Sequence, residues 1–140
     1  MQSKASAIWK GGLKDGRGTY SASSGAFREV SYNFGQRFEG KPGSTPEELI
    51  AAAHASCFAM ALSGQLGERG MTAESLEATA TVTIDRVDGK FSVTSSQIDL
   101  AARIPNADRA KFDEAVKAAE TGCPISRLLN TKISVDAKLL

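Results

Sequence analysis

Residues 46–66 read Pro-Glu-Glu-Leu-Ile-Ala-Ala-Ala-His-Ala-Ser-Cys-Phe-Ala-Met-Ala-Leu-Ser-Gly-Gln-Leu, small or apolar at nearly every position after Glu48. The start of this helix is well marked: Thr45 serves as N-cap, Pro46 as first helical residue and Glu48 as the capping-box partner three positions on. A helix without a polar face has to be covered on every side. A chain of 140 residues buries roughly two-thirds of the surface it exposes unfolded, too few layers to wrap such a helix alone. The segment therefore predicts a core completed by a second copy of the chain.

Around this helix the chain reads as one domain over residues 1–140, with no repeat, low-complexity tract or linker. Residues 5–9, 19–22 and 27–34 have strand composition and are separated by Gly-rich turns, which predicts two or three antiparallel strands. Gly67 and Gly70 suit the end of the central helix. Residues 76–87 and 91–104 alternate apolar and polar side chains about the hairpin signal Asp88-Gly89. Pro105-Asn106 breaks that ribbon. Residues 107–121 carry Ala110, Phe112, Val116 and Ala119 on a partial apolar face and predict a second helix, followed by a turn or short helix at 125–129 and a closing strand at 132–139. This order predicts an α+β fold with antiparallel sheet rather than a doubly wound parallel one.

Charge and composition narrow the chemistry. Seventeen Lys plus Arg against sixteen Asp plus Glu leave a net charge of +1, which gives no reason to expect a nucleic-acid partner. The first dozen residues have no apolar core of signal-peptide type, and no uninterrupted apolar run approaches the length of a membrane span. The expected setting is the cytoplasm, with no membrane partner, where structural disulfides are rare. Two cysteines and one histidine cannot fill a four-ligand zinc site without two carboxylates, and no metal-ligand spacing appears, so no metal is expected.

The cysteines are then the place to look for reactivity. Cys57 lies mid-helix among apolar neighbours, where burial alone makes a thiol inert; on its own surroundings it reads as a small core residue, and reactivity requires a cation. Arg37 and Arg17, each near a glycine turn, are the available suppliers. Cys123, in Gly122-Cys123-Pro124, occupies either an ordinary turn or an N-cap that favours a thiolate. A structural disulfide between the two, closing a loop of 66 residues, is open on energetic grounds, since it would add roughly 4 kcal/mol in the chain-entropy model. His54, three residues before Cys57, shares its helix face and reads as a packed, hydrogen-bonded histidine, with thiol activation as the other reading. If Glu48 closes the capping box, Glu47 is left free. Glu47 and Cys57 are separated by about 15 Å of rise on an unbroken helix, so a site using both needs a second copy or a break in the helix.

Four segments, taken in order, resemble the OsmC/Ohr family of osmotically inducible and organic hydroperoxide resistance proteins: Arg37-Phe38-Glu39-Gly40, residues 45–58, Val87-Asp88-Gly89-Lys90-Phe91 and Gly122-Cys123-Pro124-Ile125-Ser126. The resemblance implies an intertwined homodimer with long central helices between antiparallel sheets. It implies thiol-dependent reduction of organic hydroperoxides to alcohols without a cofactor, with Cys57 as peroxidatic and Cys123 as resolving cysteine. It further implies an intramolecular disulfide reset by an external dithiol, and a part in oxidative or osmotic stress defence. Arg37 resembles the arginine that holds the thiolate and Glu47 the carboxylate that orients it. In the organic hydroperoxide branch that arginine comes from an earlier Gly-Arg turn, here Arg17; the Arg-Phe-Glu-Gly segment favours the OsmC branch and Arg37. Phe38, Phe58, Met60 and Ile125 are the expected lining of an alkyl-hydroperoxide pocket. The alternative is a redox-sensing or stress-associated binding protein that uses the same cysteine pair without turning over peroxide.

Overall fold

The computed structural model describes residues 1–140 and divides into two compact units, 1–48 and 49–140. In the first, β1 (Ala5–Lys10), β2 (Arg17–Ala22) and β3 (Val30–Tyr32) form an antiparallel sheet in that order, with Ala7 opposite Tyr20 and Gly18 opposite Tyr32. Gly18 is required by close approach, since a Cβ there would stand 2.6 Å from the Ile8 carbonyl oxygen and 2.7 Å from the Tyr32 ring. The space goes to aromatic packing: Tyr32 lies between Trp9 and Tyr20 at 5.4 and 5.6 Å between ring centroids.

The strand expected at 27–34 is shorter than its composition suggests. Glu29 has φ +50°, which interrupts an extended chain before Val30. Beyond Tyr32, the Asn33 side chain accepts from the Gln36 N–H at 2.9 Å and caps a short helix, α1 (Phe34–Phe38). Arg37 therefore sits on a short helix.

The long helix, α2 (Pro46–Glu68), runs unbroken. Thr45 Oγ1 accepts from the Glu48 N–H at 3.1 Å. At the other end Gly70, at φ +75°, sits where Met71 N–H reaches the Leu66 carbonyl and Gly70 N–H the Gly67 carbonyl, the paired bonds of a Schellman stop. The all-round burial expected of this helix is not met within one chain. Its fully buried positions are His54, Phe58, Leu62 and Leu66, four residues apart, whereas Ala52, Ser56, Met60 and Ser63 are exposed, because one sheet covers one stripe. At 23 residues α2 is also long and apolar enough on average to cross a membrane. That corrects the sequence reading, which counted only uninterrupted apolar runs; in this structure the Phe58, Leu62, Leu66 stripe belongs to the protein core.

The second unit holds β4 (Ser75–Val87), β5 (Lys90–Arg103), α3 (Arg109–Gly122), α4 (Pro124–Leu128) and β6 (Lys132–Leu139). Asp88 and Gly89 both have positive φ, 50° and 76°, as a two-residue hairpin turn needs. β6 pairs with β5 in parallel, Ile98 opposite Val135, so the sheet is not antiparallel throughout. The connection through α3 and α4 is the crossover that such a pairing requires. Ile98, Leu100 and Ala102 point from β5 into a core shared with Phe58, Leu62 and Leu66 of α2 and Phe112, Ala115 and Ala119 of α3.

Candidate active site

Cys123 joins two helices. Its N–H closes the last turn of α3 on the Ala119 carbonyl at 3.1 Å, and its Sγ caps α4 by accepting from the Ser126 N–H at 3.5 Å, with Pro124 at the first helical position. The turn brings Cys123 against α2, where its Sγ lies 2.7 Å from that of Cys57 across 66 residues of chain. Both thiols are free; Cys123 is fully buried and Cys57 partly exposed.

The two sulfurs share a hydrogen bond in which either can donate. Burial pushes the Cys57 thiol above its ordinary range, the neighbouring Cys123 thiol adds to this, and a bond from the Ile125 backbone offsets part of it. For Cys123 burial also acts upward, but it is outweighed by the hydrogen bond from Cys57 and by the backbone and hydroxyl of Ser126, so its thiol lies below the ordinary range. With donors aimed at Cys123, the arrangement in which Cys57 keeps the proton is the favoured one.

Arg37 and Glu47 meet within the first unit. Arg37 Nε donates to both carboxylate oxygens of Glu47, at 3.1 and 3.2 Å, and Nη2 donates to Oε1 at 2.7 Å. This fork fixes the plane of the guanidinium as a single-point contact cannot. The Glu47 side chain is 8% exposed and that of Arg37 38%, so the carboxylate is held inside while the cation keeps an open side. Arg37 and Phe38 also border a cavity of about 260 Å³ walled by Trp9, Leu13, Tyr32 and Phe34. Of the four pocket residues expected from sequence, Phe38 is in this wall, Phe58 belongs to the core and Met60 is 81% exposed. Ile125 is half-buried on α4. The reserve cation, Arg17, is exposed at the start of β2 opposite Lys10.

His54 bridges the sheet and α4. Its Nδ1 is 2.7 Å from Ser96 Oγ on β5 and its Nε2 2.8 Å from Ser126 Oγ on α4, and all three side chains are buried. Burial lowers its pKa, so the ring is neutral and donates through one nitrogen while accepting through the other. The packed, hydrogen-bonded reading of His54 holds. Ser96 and Ser126 were not legible as partners of His54, since they meet it from 42 and 72 residues away.

Comparison with known proteins places these features in a family. Residues 38–138 match the family model described as OsmC-like protein. The chain is 43% identical over 139 residues to Peroxiredoxin OsmC of Escherichia coli, covering 99% of this chain and 97% of that protein. It is 35% identical over 102 residues to the organic hydroperoxide resistance protein OhrB of Bacillus subtilis, covering 72% of this chain and 71% of that one. The crystal structure of the same OhrB superposes with a TM-score of 0.68 at 26% identity over 98% of both chains. An OsmC-like protein of unknown function from Vibrio cholerae reaches 0.75 at 16% identity over 99% of both, a likeness of fold. With an α+β fold, two facing thiols and a near full-length relative at this identity, the chain belongs to the OsmC-like family.

Proposed function

We propose that this protein is a thiol peroxidase that reduces organic hydroperoxides to alcohols. The observation that carries the reading is the pair of free thiols 2.7 Å apart with unequal access, Cys57 partly exposed and Cys123 sealed. The names of the E. coli and B. subtilis relatives point the same way. A peroxide meets Cys57 first. The Cys57 thiolate attacks one peroxide oxygen, the O–O bond breaks, the alkoxide leaves as the alcohol after taking a proton, and Cys57 becomes a sulfenic acid. Cys123 then attacks that sulfur, the S–S bond forms and water departs. An external dithiol reopens the bond by exchange. Arg37, oriented by Glu47 and contributed by a second copy of the chain because α2 runs unbroken between Glu47 and Cys57, supplies the positive charge that offsets the burial of Cys57; an opposite charge at close range is worth about 1–3 pKa units. The cycle belongs in a reducing compartment such as the cytoplasm, and a second copy of the chain covers the exposed face of α2.

Thiol titration before and after one equivalent of an alkyl hydroperoxide tests the reading. Loss of both thiols per chain is expected, and continued turnover with excess dithiol separates a peroxidase from a protein that only senses the oxidant. Cys57→Ser should abolish peroxide consumption, whereas Cys123→Ser should allow one turnover and leave Cys57 as a sulfenic or over-oxidised acid. Equal activity in the two variants would reverse or refute the assignment.

A further inference from the structure

A fully buried histidine with both ring nitrogens engaged stands out in a stripe whose other members are Phe58, Leu62 and Leu66. Ser96, His54 and Ser126 form a continuous row from β5 through α2 to α4, with separations of 2.7 and 2.8 Å. Ser126 continues it, because its N–H hydrogen-bonds to Cys123 Sγ at 3.5 Å, which places its hydroxyl beside the same sulfur, where it favours the thiolate. We infer that His54 is a positioning residue for Cys123: anchored by Ser96, it fixes the Ser126 hydroxyl so that this group donates to the Cys123 sulfur. This rests on the peroxidase reading above and concerns its second chemical step.

The chemistry follows from counting donors. A neutral imidazole has one N–H. When Ser96 donates to Nδ1 and Nε2–H donates to Ser126 Oγ, the Ser126 proton is free to point at Cys123. Without His54 the hydroxyl can turn to other acceptors. In the reduced protein the Cys57 thiol also donates to Cys123, but that donor is consumed when Cys57 becomes a sulfenic acid. The contribution of Ser126 is independent of the oxidation state of Cys57 and persists into the step that needs it. There the Cys123 thiolate attacks Cys57 Sγ, the S–O bond breaks, and the departing hydroxide combines with the proton released by Cys123 to give water. The Cys123 sulfur is oxidised and the sulfenic sulfur reduced as both enter the disulfide. Because Cys123 is fully buried, its thiolate is kept from consuming peroxide itself.

Two measurements decide this. In a Cys57→Ser background, the thiolate absorbance of Cys123 is followed against pH with Ser126→Ala or His54→Leu added. Each should move the titration to higher pH, and Ser126→Thr, which keeps the hydroxyl, should restore it. With both cysteines present, one equivalent of alkyl hydroperoxide is added and the Cys57 sulfenic acid is trapped with dimedone. Ser126→Ala should form the sulfenic acid at the parent rate but close the disulfide more slowly, on the order of tenfold for each unit by which the Cys123 pKa has risen. Unchanged titration and closure in folded Ser126→Ala would overturn the inference, even if His54→Leu fails to fold. If the parent protein forms no sulfenic acid, the peroxidase reading fails instead, and the peroxide-free titration still decides the part played by His54 and Ser126.

Discussion

The role proposed for Arg37 is to reverse an unfavourable balance at Cys57, whose thiol is held high first by burial and then by its neighbour. Arg37→Ala should move the pH profile of Cys57 alkylation upward by about 1–3 units, which slows reaction at neutral pH about tenfold per unit. An unmoved profile would shift the role to Arg17. The same variant leaves the buried Glu47 carboxylate without its fork, and a denaturant titration should show a loss of about 1–3 kcal/mol. His54 carries a different pH signature. Its folded pKa lies below the ordinary value near 6.5 because burial disfavours the cation. Above that pH both folded and unfolded states are neutral and the full stability is present. As pH falls from about 6.5 towards the lowered folded value, the unfolded chain takes up a proton that the folded chain refuses, so stability declines. Urea melts between about pH 7.5 and 5.5 should show this slope, and His54→Gln should flatten it; an identical slope in the variant would place the titration elsewhere.

At the level of elements, legibility followed local signals. Thr45-Pro46 and Gly70 marked both ends of α2, and Asp88-Gly89 marked the β4–β5 hairpin, because caps and two-residue turns depend on side chains next to the backbone they satisfy. α1 was missed because its neighbourhood has strand composition and a single side chain, Asn33, diverts it into a helix. The parallel pairing of β6 was missed because alternation reports which side chains face inward and not the direction of the neighbouring strand. The two cysteines stood out by scarcity and by family resemblance, whereas Ser96 and Ser126 meet His54 from 42 and 72 residues away and leave no local trace. The stripe on α2 carries the packing. Leu62 is fully buried in the core cluster that also holds residues of β5 and α3, so Leu62→Ala should cost about 2–5 kcal/mol in a reversible melt. A loss under about 1 kcal/mol would mean that the site collapses around the shortened side chain, or that α2 is not held by this core.

For the whole molecule, the unresolved physical problem is the other side of α2. Ala52, Ser56, Met60 and Ser63 lie in the open, and Met60 is 81% exposed. Small side chains along a helix let another element approach closely, and a methionine fills whatever gap is left. A second copy of the same helix would meet both conditions, and the burial of apolar surface would offset the cost of association. Light scattering at micromolar concentration should therefore give twice the 14.7 kDa of one chain. Met60→Glu places a charge in that contact, so it should shift the population towards single chains and weaken the dependence of the melting temperature on protein concentration. The buried stripe of Phe58, Leu62 and Leu66 is untouched by that substitution, so the single chain should keep its secondary structure. A parent protein that scatters as one chain, with a melting temperature that Met60→Glu leaves unchanged at every concentration, would show that α2 carries its exposed face without a partner.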